Sequence, residues 1–546
     1  MRRLPFVIVL IAMVSTGSIW AGGQTEEVAG GEDRAAQLEA IGFNPTGYPV
    51  VTDSPEFEVL ARRRRGVTGS YEESPKLLWL EDQTGVRVEW DTIQSANAEE
   101  QINVVMASGD LPDAFYYVWE QQEQPRTYGL DGQIMALNGL ISEYAPTLQE
   151  LFTEKPFLRA LNSDLDGNIY STPSGINRGY SVTGQPLINT IWLDRLGLDM
   201  PQSTDELLAV LRAFQTEDAN GNGDPNDEIP LSFNQSSWEP GDMSRYFPWF
   251  GMPDNDEHIF FDGDQAVFSA DTDEYRNAVE FLHTLARERL LDWEGYTYDQ
   301  AVFRSKVNND LVGVYPGWRT VNMGVNNVFD QFEPLPMLEA PGVDDPVWPR
   351  FFQGGSVSGV SIASDAEFPE VLIRWADFSY TPINSIIMRE RWGSLPFVDD
   401  TTLDLTDEGK VAFLDRPEGM TDEEWTPAPG VGVAAFVSAE TFNRYYPPRS
   451  VDEQKNRFAE VLEPYLSEIP QNIPLPFSAD EVDRLALLGA DVRAYVDETQ
   501  ARWIIDGGIE DDWDDYIAQL ERIGLEEYVE IYQNALDRYL GFSADN

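Results

Sequence analysis

The stretch from Phe57 to Val118 limits the fold more than any other part of the chain. Ser74-Pro75 offers a helix cap followed by a first-turn proline, and Leu77, Leu78 and Leu80 follow before Gly85 closes the helix. Val86, Val88 and Trp90 then alternate as a strand. Asn97, with Glu100 three residues on, opens a second helix through Ile102, Val105 and Met106 that ends at Gly109, and Ala114 to Val118 reads as another strand. Strand, helix, strand is a parallel crossover, and parallel strands need covering helices, so this region is an α/β lobe. The chain has 546 residues, more than one hydrophobic core usually supports, and a second lobe is therefore expected.

Helical periods dominate further on. Ser203 to Glu206 forms a capping box before Leu207, Leu208, Leu211 and Phe214, and Tyr275, Val279 and Leu282 share one helical face. Asp166-Gly167 and Asp262-Gly263 are tight-turn pairs between apolar runs. Proline clusters at 334–349, 427–429 and 470–476 mark loops or lobe crossings. At the start, Met1-Arg2-Arg3, the apolar run Leu4 to Val14 and the small residues ending at Ala21 read as an export signal over 1–21, too short for a permanent anchor. Residues 22–53, rich in Gly, Glu and Ala, read as a mobile leader.

Charge and cysteine content remove whole classes of function. With 95 acidic and 37 basic residues the net charge is −58, which repels nucleic acid and anionic membranes. The acids are spread along the chain, as suits a salt-rich habitat where mobile ions screen charges within about 3 Å at molar ionic strength. Zero cysteines exclude disulfides, thiol catalysis and thiolate metal sites. Two histidines, His258 and His283, leave almost no material for a Ser-His-Asp relay or a multi-histidine zinc site. Paired carboxylates could still hydrolyse glycosides, but acids are so abundant here that any pair is uninformative.

The sharpest local motif is Asp218-Ala-Asn220-Gly-Asn222-Gly223-Asp224-Pro-Asn226-Asp227-Glu228. Oxygen ligands at alternate positions with glycine sixth are what a calcium loop needs, and the candidate ligands are Asp218, Asn220, Asn222, Asp224 and Glu228. Position twelve, however, is Ile229 where a bidentate glutamate belongs. A structural calcium and a metal-free turn held by Asx hydrogen bonds both remain open. Flat rings stack on sugar faces. Tyr117 and Trp119, with Glu120 beside them, follow a strand at the end where open α/β sheets place their crevice. Tyr246 and Trp249 are weaker candidates of the same kind, whereas Trp79, Trp192, Trp375 and Trp503 lie in helical apolar patterns and belong to the core. Arg62 to Arg65 reads as a solvated face, and the dinucleotide-like string Gly430-Val-Gly432-Val-Ala-Ala435 lacks the preceding strand it needs.

Short strings along nearly the whole chain carry a family likeness. They are Met106-Ala-Ser-Gly-Asp-Leu-Pro-Asp113, Trp192-Leu-Asp-Arg-Leu-Gly-Leu198, Pro316-Gly-Trp318, and the C-terminal run from Tyr495 through Trp503, Trp513 and Tyr516 to Tyr532. In this order they resemble the extracellular solute-binding proteins of carbohydrate-uptake ABC transporters. That resemblance implies a two-lobed α/β type II periplasmic-binding-protein fold with a hinge and an interlobe cleft. One lobe would comprise 54–172 plus 355–400, and a second, largely helical lobe 173–354 plus 401–546. The chain would cross near Tyr170 to Gly175 and return near Gly354-Gly355. Trp318 matches a tryptophan that sugar-binding relatives use for stacking, and Arg178, Arg319, Gln353 and Asp113, near the implied crossings, would read hydroxyls. The implied function is capture of a carbohydrate, an oligosaccharide foremost, and its delivery to a membrane permease by a monomer that is no enzyme. Without a cysteine to acylate, the protein would be free in a periplasm or secreted. An exported glycoside hydrolase with a carboxylate pair is the alternative.

Overall fold

The computed structural model describes residues 26–544 apart from 64–68, 180, 181, 183, 236–240, 298, 318–330, 352–353, 391–393, 400–401, 416, 418, 421–430 and 448–458, with side chains over 33–541. Two large apolar clusters divide the chain. One gathers residues between Val50 and Tyr170 and again between Val357 and Tyr446; the other gathers Val182 to Trp348 and Leu462 to Leu536. The chain therefore passes between the cores three times: between Tyr170 and Val182, between Trp348 and Val357, and between Tyr446 and Leu462. The sequence reading expects the first near Tyr170 to Gly175 and the second near Gly354-Gly355. The third corrects the expected division, because Leu403, Val411 and the apolar residues from Val431 to Tyr446 pack in the first core and not in the second.

The first lobe is built on the crossover pattern. Strand Glu56–Arg63 pairs in parallel with both Arg87–Gln94 and Ala114–Tyr116, and Val360–Ile362 closes the sheet antiparallel to Ala114–Tyr116. Helix Pro75–Thr84 ends at Gly85 in the left-handed conformation, and helix Ala98–Ser108 ends the same way at Gly109. Neither Ser74 nor Asn97 makes a side-chain cap, so proline and packing, not the capping bond, start these helices. The buried pattern of Leu77, Trp79 and Leu80 on one helix and Ile102 and Met106 on the other faces the sheet.

The expected leader is a second correction. Residues Glu26–Ala40 are helical, Leu38, Ile41 and Phe43 pack on the first core, and Val50 and Val51 lie within it. Val50 donates its amide to the Thr84 carbonyl at 2.7 Å, and Arg34 grips Glu370 with two nitrogens at 2.9 and 2.5 Å. The apolar residues here follow neither a helical nor a strand period, so only the tertiary contacts reveal them.

The second lobe carries a sheet in the order Phe332–Pro334, Gln185–Asn189, Val312–Gly317, Ile229–Leu231, mixed in direction. Helices Ala479–Asp506, Ile509–Ile523 and Leu525–Ala544 pack on one another, the first two also against helix Asp273–Arg287 and the last against strand Gln265–Phe268. Ser478 and Glu481 form a reciprocal capping box on the first of these, and Gln500 on it donates to the hydroxyl of Tyr275 on helix Asp273–Arg287 at 2.7 Å. No described helix is long and apolar enough to cross a membrane.

Candidate functional site

Sheet direction fixes which ends of the two lobes face each other. In the first lobe Val360 pairs with Tyr116, so the segment returning from the second lobe, 355–359, enters at the carboxyl end of the parallel strands. In the second lobe Gln185, just after the first crossing, pairs with Gly317 at the carboxyl end of Val312–Gly317. The carboxyl ends of both sheets thus converge on the crossing segments, which is where open α/β sheets bind ligands.

Those segments are stitched together. Ser174 and Ser356 exchange backbone bonds, Gly175 donates to Ala435 at 2.9 Å, Asn177 to Val437 at 2.8 Å, and the Ser174 hydroxyl to Val433 at 2.8 Å. A methyl group on Gly175 would sit 2.8 Å from the Cα of Gly355, which itself holds a left-handed φ of +91°. Glycine is needed at both places for close backbone approach, and it is also what lets a hinge rotate.

At the first-lobe edge, Arg62 lies buried near the end of strand Glu56–Arg63, against the expectation of a solvated helix face for Arg62 to Arg65. Its guanidinium lies 5.3 Å from the Tyr117 ring centroid, its Nε donates to the Tyr117 carbonyl at 3.3 Å, and its Nη1 pairs with Glu120. Tyr117 departs from the strand with φ +57°, a conformation few non-glycine residues adopt, and donates its amide to Gly359 at 2.9 Å. The buried Tyr71 hydroxyl donates to the Arg62 carbonyl at 2.7 Å and accepts from the Gly432 amide at 3.0 Å. Burial pushes that phenol far up, and the neighbouring Tyr116 adds to the shift. A methyl on Gly432 would fall 1.9 Å from the Tyr117 ring, so the string dismissed as dinucleotide-like owes its glycine to this contact.

The turn at Tyr117 sends Trp119 inward, which corrects its assignment to the ligand. Trp119 is fully buried, its indole donates to Ser361 at 2.8 Å, and its ring packs against Phe115 and Tyr128. Tyr246 and Trp249 are corrected likewise. Both are completely buried in the second core, with the Tyr246 hydroxyl donating to Ser232 at 2.9 Å. Asp113 sits at the opposite end of its strand and caps the Glu58 amide at 2.9 Å. Burial raises its carboxyl above the ordinary range. Tyr117 is half-buried and Glu120 exposed, just past the carboxyl end of Ala114–Tyr116, and Arg178 lies within the first crossing with its guanidinium 5.2 Å from the Phe442 ring. Trp318, Arg319 and Gln353 lie outside the described residues.

Across the cleft, the carboxyl end of Ile229–Leu231 carries a polar group the sequence did not single out. Asp292 accepts from Ser232 at 3.0 Å and from Lys306 at 2.8 Å, and Lys306 also reaches Glu294 at 3.1 Å. Between those acids Trp293 is 61% exposed, an unusual state for so large an apolar ring. Its neighbours Glu294-Gly295-Tyr296 form no recognised motif, so only the exposure marks it.

The loop 218–228 is a chain of Asx turns. Asp218 accepts from Gly223 at 3.0 Å, Asn220 from Asn222 at 2.9 Å, and Asn222 from Asp224 at 2.7 Å, while Asp227 takes the amides of Asn220 and Asn222 at 3.0 and 2.7 Å. Among the described residues no three acids or histidines converge as a ready metal cage. Two buried carboxylate oxygens, Asp218 Oδ1 and Glu228 Oε2, are nonetheless left without a hydrogen-bond partner. Burial raises the Glu228 carboxyl above its usual range, backbone amides opposing it. Orphaned oxygens of this kind cost about 1–3 kcal/mol each, and a cation would relieve them.

Comparison with known proteins agrees with this architecture. The sequence profile of the family described as bacterial extracellular solute-binding protein matches residues 68–384. The fructooligosaccharide ABC transporter substrate-binding protein FusA of Streptococcus pneumoniae serotype 4 is 32% identical over 472 residues, 84% of this chain and 86% of that one. A solved structure of S. pneumoniae FusA in complex with kestose matches with a TM-score of 0.76 at 29% identity, over 89% of this chain and 100% of that one. An EF-hand mutant of FusA in complex with fructo-nystose matches with a TM-score of 0.75, at the same identity and coverage.

Proposed function

Because the chain belongs to the bacterial extracellular solute-binding protein family, we propose that it captures an oligosaccharide of the fructooligosaccharide class between its lobes and hands it unreacted to an ABC transporter permease. The observation that carries this reading is the convergence of both sheets' carboxyl ends on glycine-bearing crossings. Rotation about those crossings would bring Tyr117, Glu120 and Arg178 toward Trp293. A ligand that touches both lobes favours the closed state by its differential affinity alone, and needs no catalytic group. The alternative of an exported glycoside hydrolase loses ground, because the relatives that match over most of the chain are substrate-binding proteins.

The same reading gives the protein an extracytoplasmic place, reached through the signal at 1–21 and kept as a free monomer without a lipid anchor. Asp218, Asn220, Asn222, Asp224 and Glu228 would hold a structural calcium. The unpartnered oxygens of Asp218 and Glu228 support it, as does the EF-hand named for the FusA mutant. Its role would be to staple the loop that joins helix Thr204–Thr216 to strand Ile229–Leu231.

A thermal-shift titration at molar salt with kestose, with and without a calcium chelator, tests both parts. A ligand at a hundredfold its Kd stabilises the native state by about 2.7 kcal/mol. The expected result is a rise in Tm with kestose recovered intact, and a separate fall in Tm on chelation. Release of free monosaccharide would favour the hydrolase, and an unchanged Tm across neutral oligosaccharides would remove the proposed ligand class.

A further inference from the structure

Arg62 is a buried cation at the first-lobe edge of the cleft, and its contacts include a ring, a carbonyl and a carboxylate of that edge. It meets the Tyr117 ring and carbonyl and the Glu120 carboxylate, while its own carbonyl is held through Tyr71 to Gly432. Arg63 beside it bridges Val431, so strand end, tyrosine and returning segment form one body. Of this body the Glu120 side chain is the exposed part, at 47%. An ionised carboxylate only accepts hydrogen bonds, and it has about four lone-pair directions, more than one arginine occupies.

We propose that Arg62 is a positioning residue that fixes Tyr117 and Glu120 as a single recognition unit, and that Glu120 selects neutral, hydroxyl-donating sugars over uronates. This rests on the reading that an oligosaccharide occupies the cleft, and it narrows the class. A sugar hydroxyl donates to a fixed carboxylate in a charge-assisted bond. A uronate group brought to the same place sets acceptor against acceptor and like charge against like, inside a protein of net charge −58. Arg62 already serves Glu120 and the Tyr117 carbonyl, so its charge compensates the carboxylate and holds its direction.

The test is the Kd for kestose and for a trigalacturonide at molar salt in the full chain, Glu120→Gln, Arg62→Lys and the double variant, with ligand-free urea midpoints in parallel. Wild type is expected to bind kestose and not the uronide. Glu120→Gln, at an exposed position, should weaken kestose about tenfold with its urea midpoint kept, and should narrow the preference for kestose over the uronide. Arg62→Lys should weaken it in the same direction, and the double variant no further than the weaker single, because the two residues act as one. Multiplying losses, an unchanged Kd in Glu120→Gln, or uronide bound as tightly as kestose would each overturn the inference. If wild type binds no neutral oligosaccharide, the parent reading fails first, and the wild-type measurement alone reveals it.

Discussion

Single residues show how one backbone angle redirects function. Tyr117 leaves its strand at φ +57°, and that turn separates the buried Trp119 from the exposed Glu120. Trp119→Ala removes a completely buried ring and its bond to Ser361, so unfolding free energy should drop by about 3–5 kcal/mol in urea titrations at molar salt. His258 offers a pH-dependent counterpart. Burial alone would lower its pKa, but Asp254 at 2.9 Å and Asp497 at 3.6 Å outweigh burial and lift it from 6.5 to about 10. A raised histidine pKa stabilises the fold fully below the unfolded value and loses that contribution as pH climbs through the folded one. The stability advantage of wild type over His258→Asn should therefore be greatest below about pH 6.5 and shrink toward about pH 10, read from urea midpoints. Asparagine is the chosen replacement because it tolerates the left-handed φ of +53° at this position.

At the scale of elements, start and stop signals worked unevenly. Ser203 caps its helix, its hydroxyl accepting from the Glu206 amide, but the Glu206 carboxylate takes the Gln202 amide and leaves the expected box half-formed, whereas Ser74 and Asn97 do not cap theirs. The hairpin turn at Asp262-Gly263 joins Ile259–Asp262 to Gln265–Phe268 as its residues require. Ser478 carries a full capping box at the head of the 28-residue helix Ala479–Asp506, and Glu481 in that box also receives Arg538 from the last helix at 2.5 Å. Ser478→Ala should cost about 1 kcal/mol, seen as a lowered thermal midpoint, with Arg538 still holding Glu481. The acidic run 511–515 lies at the start of helix Ile509–Ile523, where the helix dipole favours negative charge. Arg502 pairs with its Asp512 at 2.6 Å.

The whole molecule is two cores joined by three passages and coated in negative charge. Self-repulsion at −58 opposes compaction, and mobile ions weaken it over about 10 Å at 0.1 M salt and about 3 Å at 1 M. The thermal midpoint should rise steadily with sodium chloride over this range; a flat profile would refute the electrostatic account. Hinge motion works against the same field, because closing the cleft brings two acidic lobes together. Ligand-induced compaction measured by small-angle scattering should therefore be more complete at high salt than at low.

Local order along the chain determined the α/β character of the first lobe, the order of its strands and helices, and the tryptophans that belong to the core. These are nearest-neighbour properties: periodicity, caps and turn residues act within a few positions of one another. Tertiary structure alone decided that the apolar residues from Leu38 to Val51, with Leu403, Val411 and those from Val431 to Tyr446, join the first core, that Trp119, Tyr246 and Trp249 turn inward, and that Arg62 is buried beside Tyr117. Those outcomes depend on partners far along the chain, such as Ser361 for Trp119 and Gly432 for Tyr117 and Tyr71. A residue's fate as core or contact is set by which distant surface meets it, and no local pattern encodes that meeting.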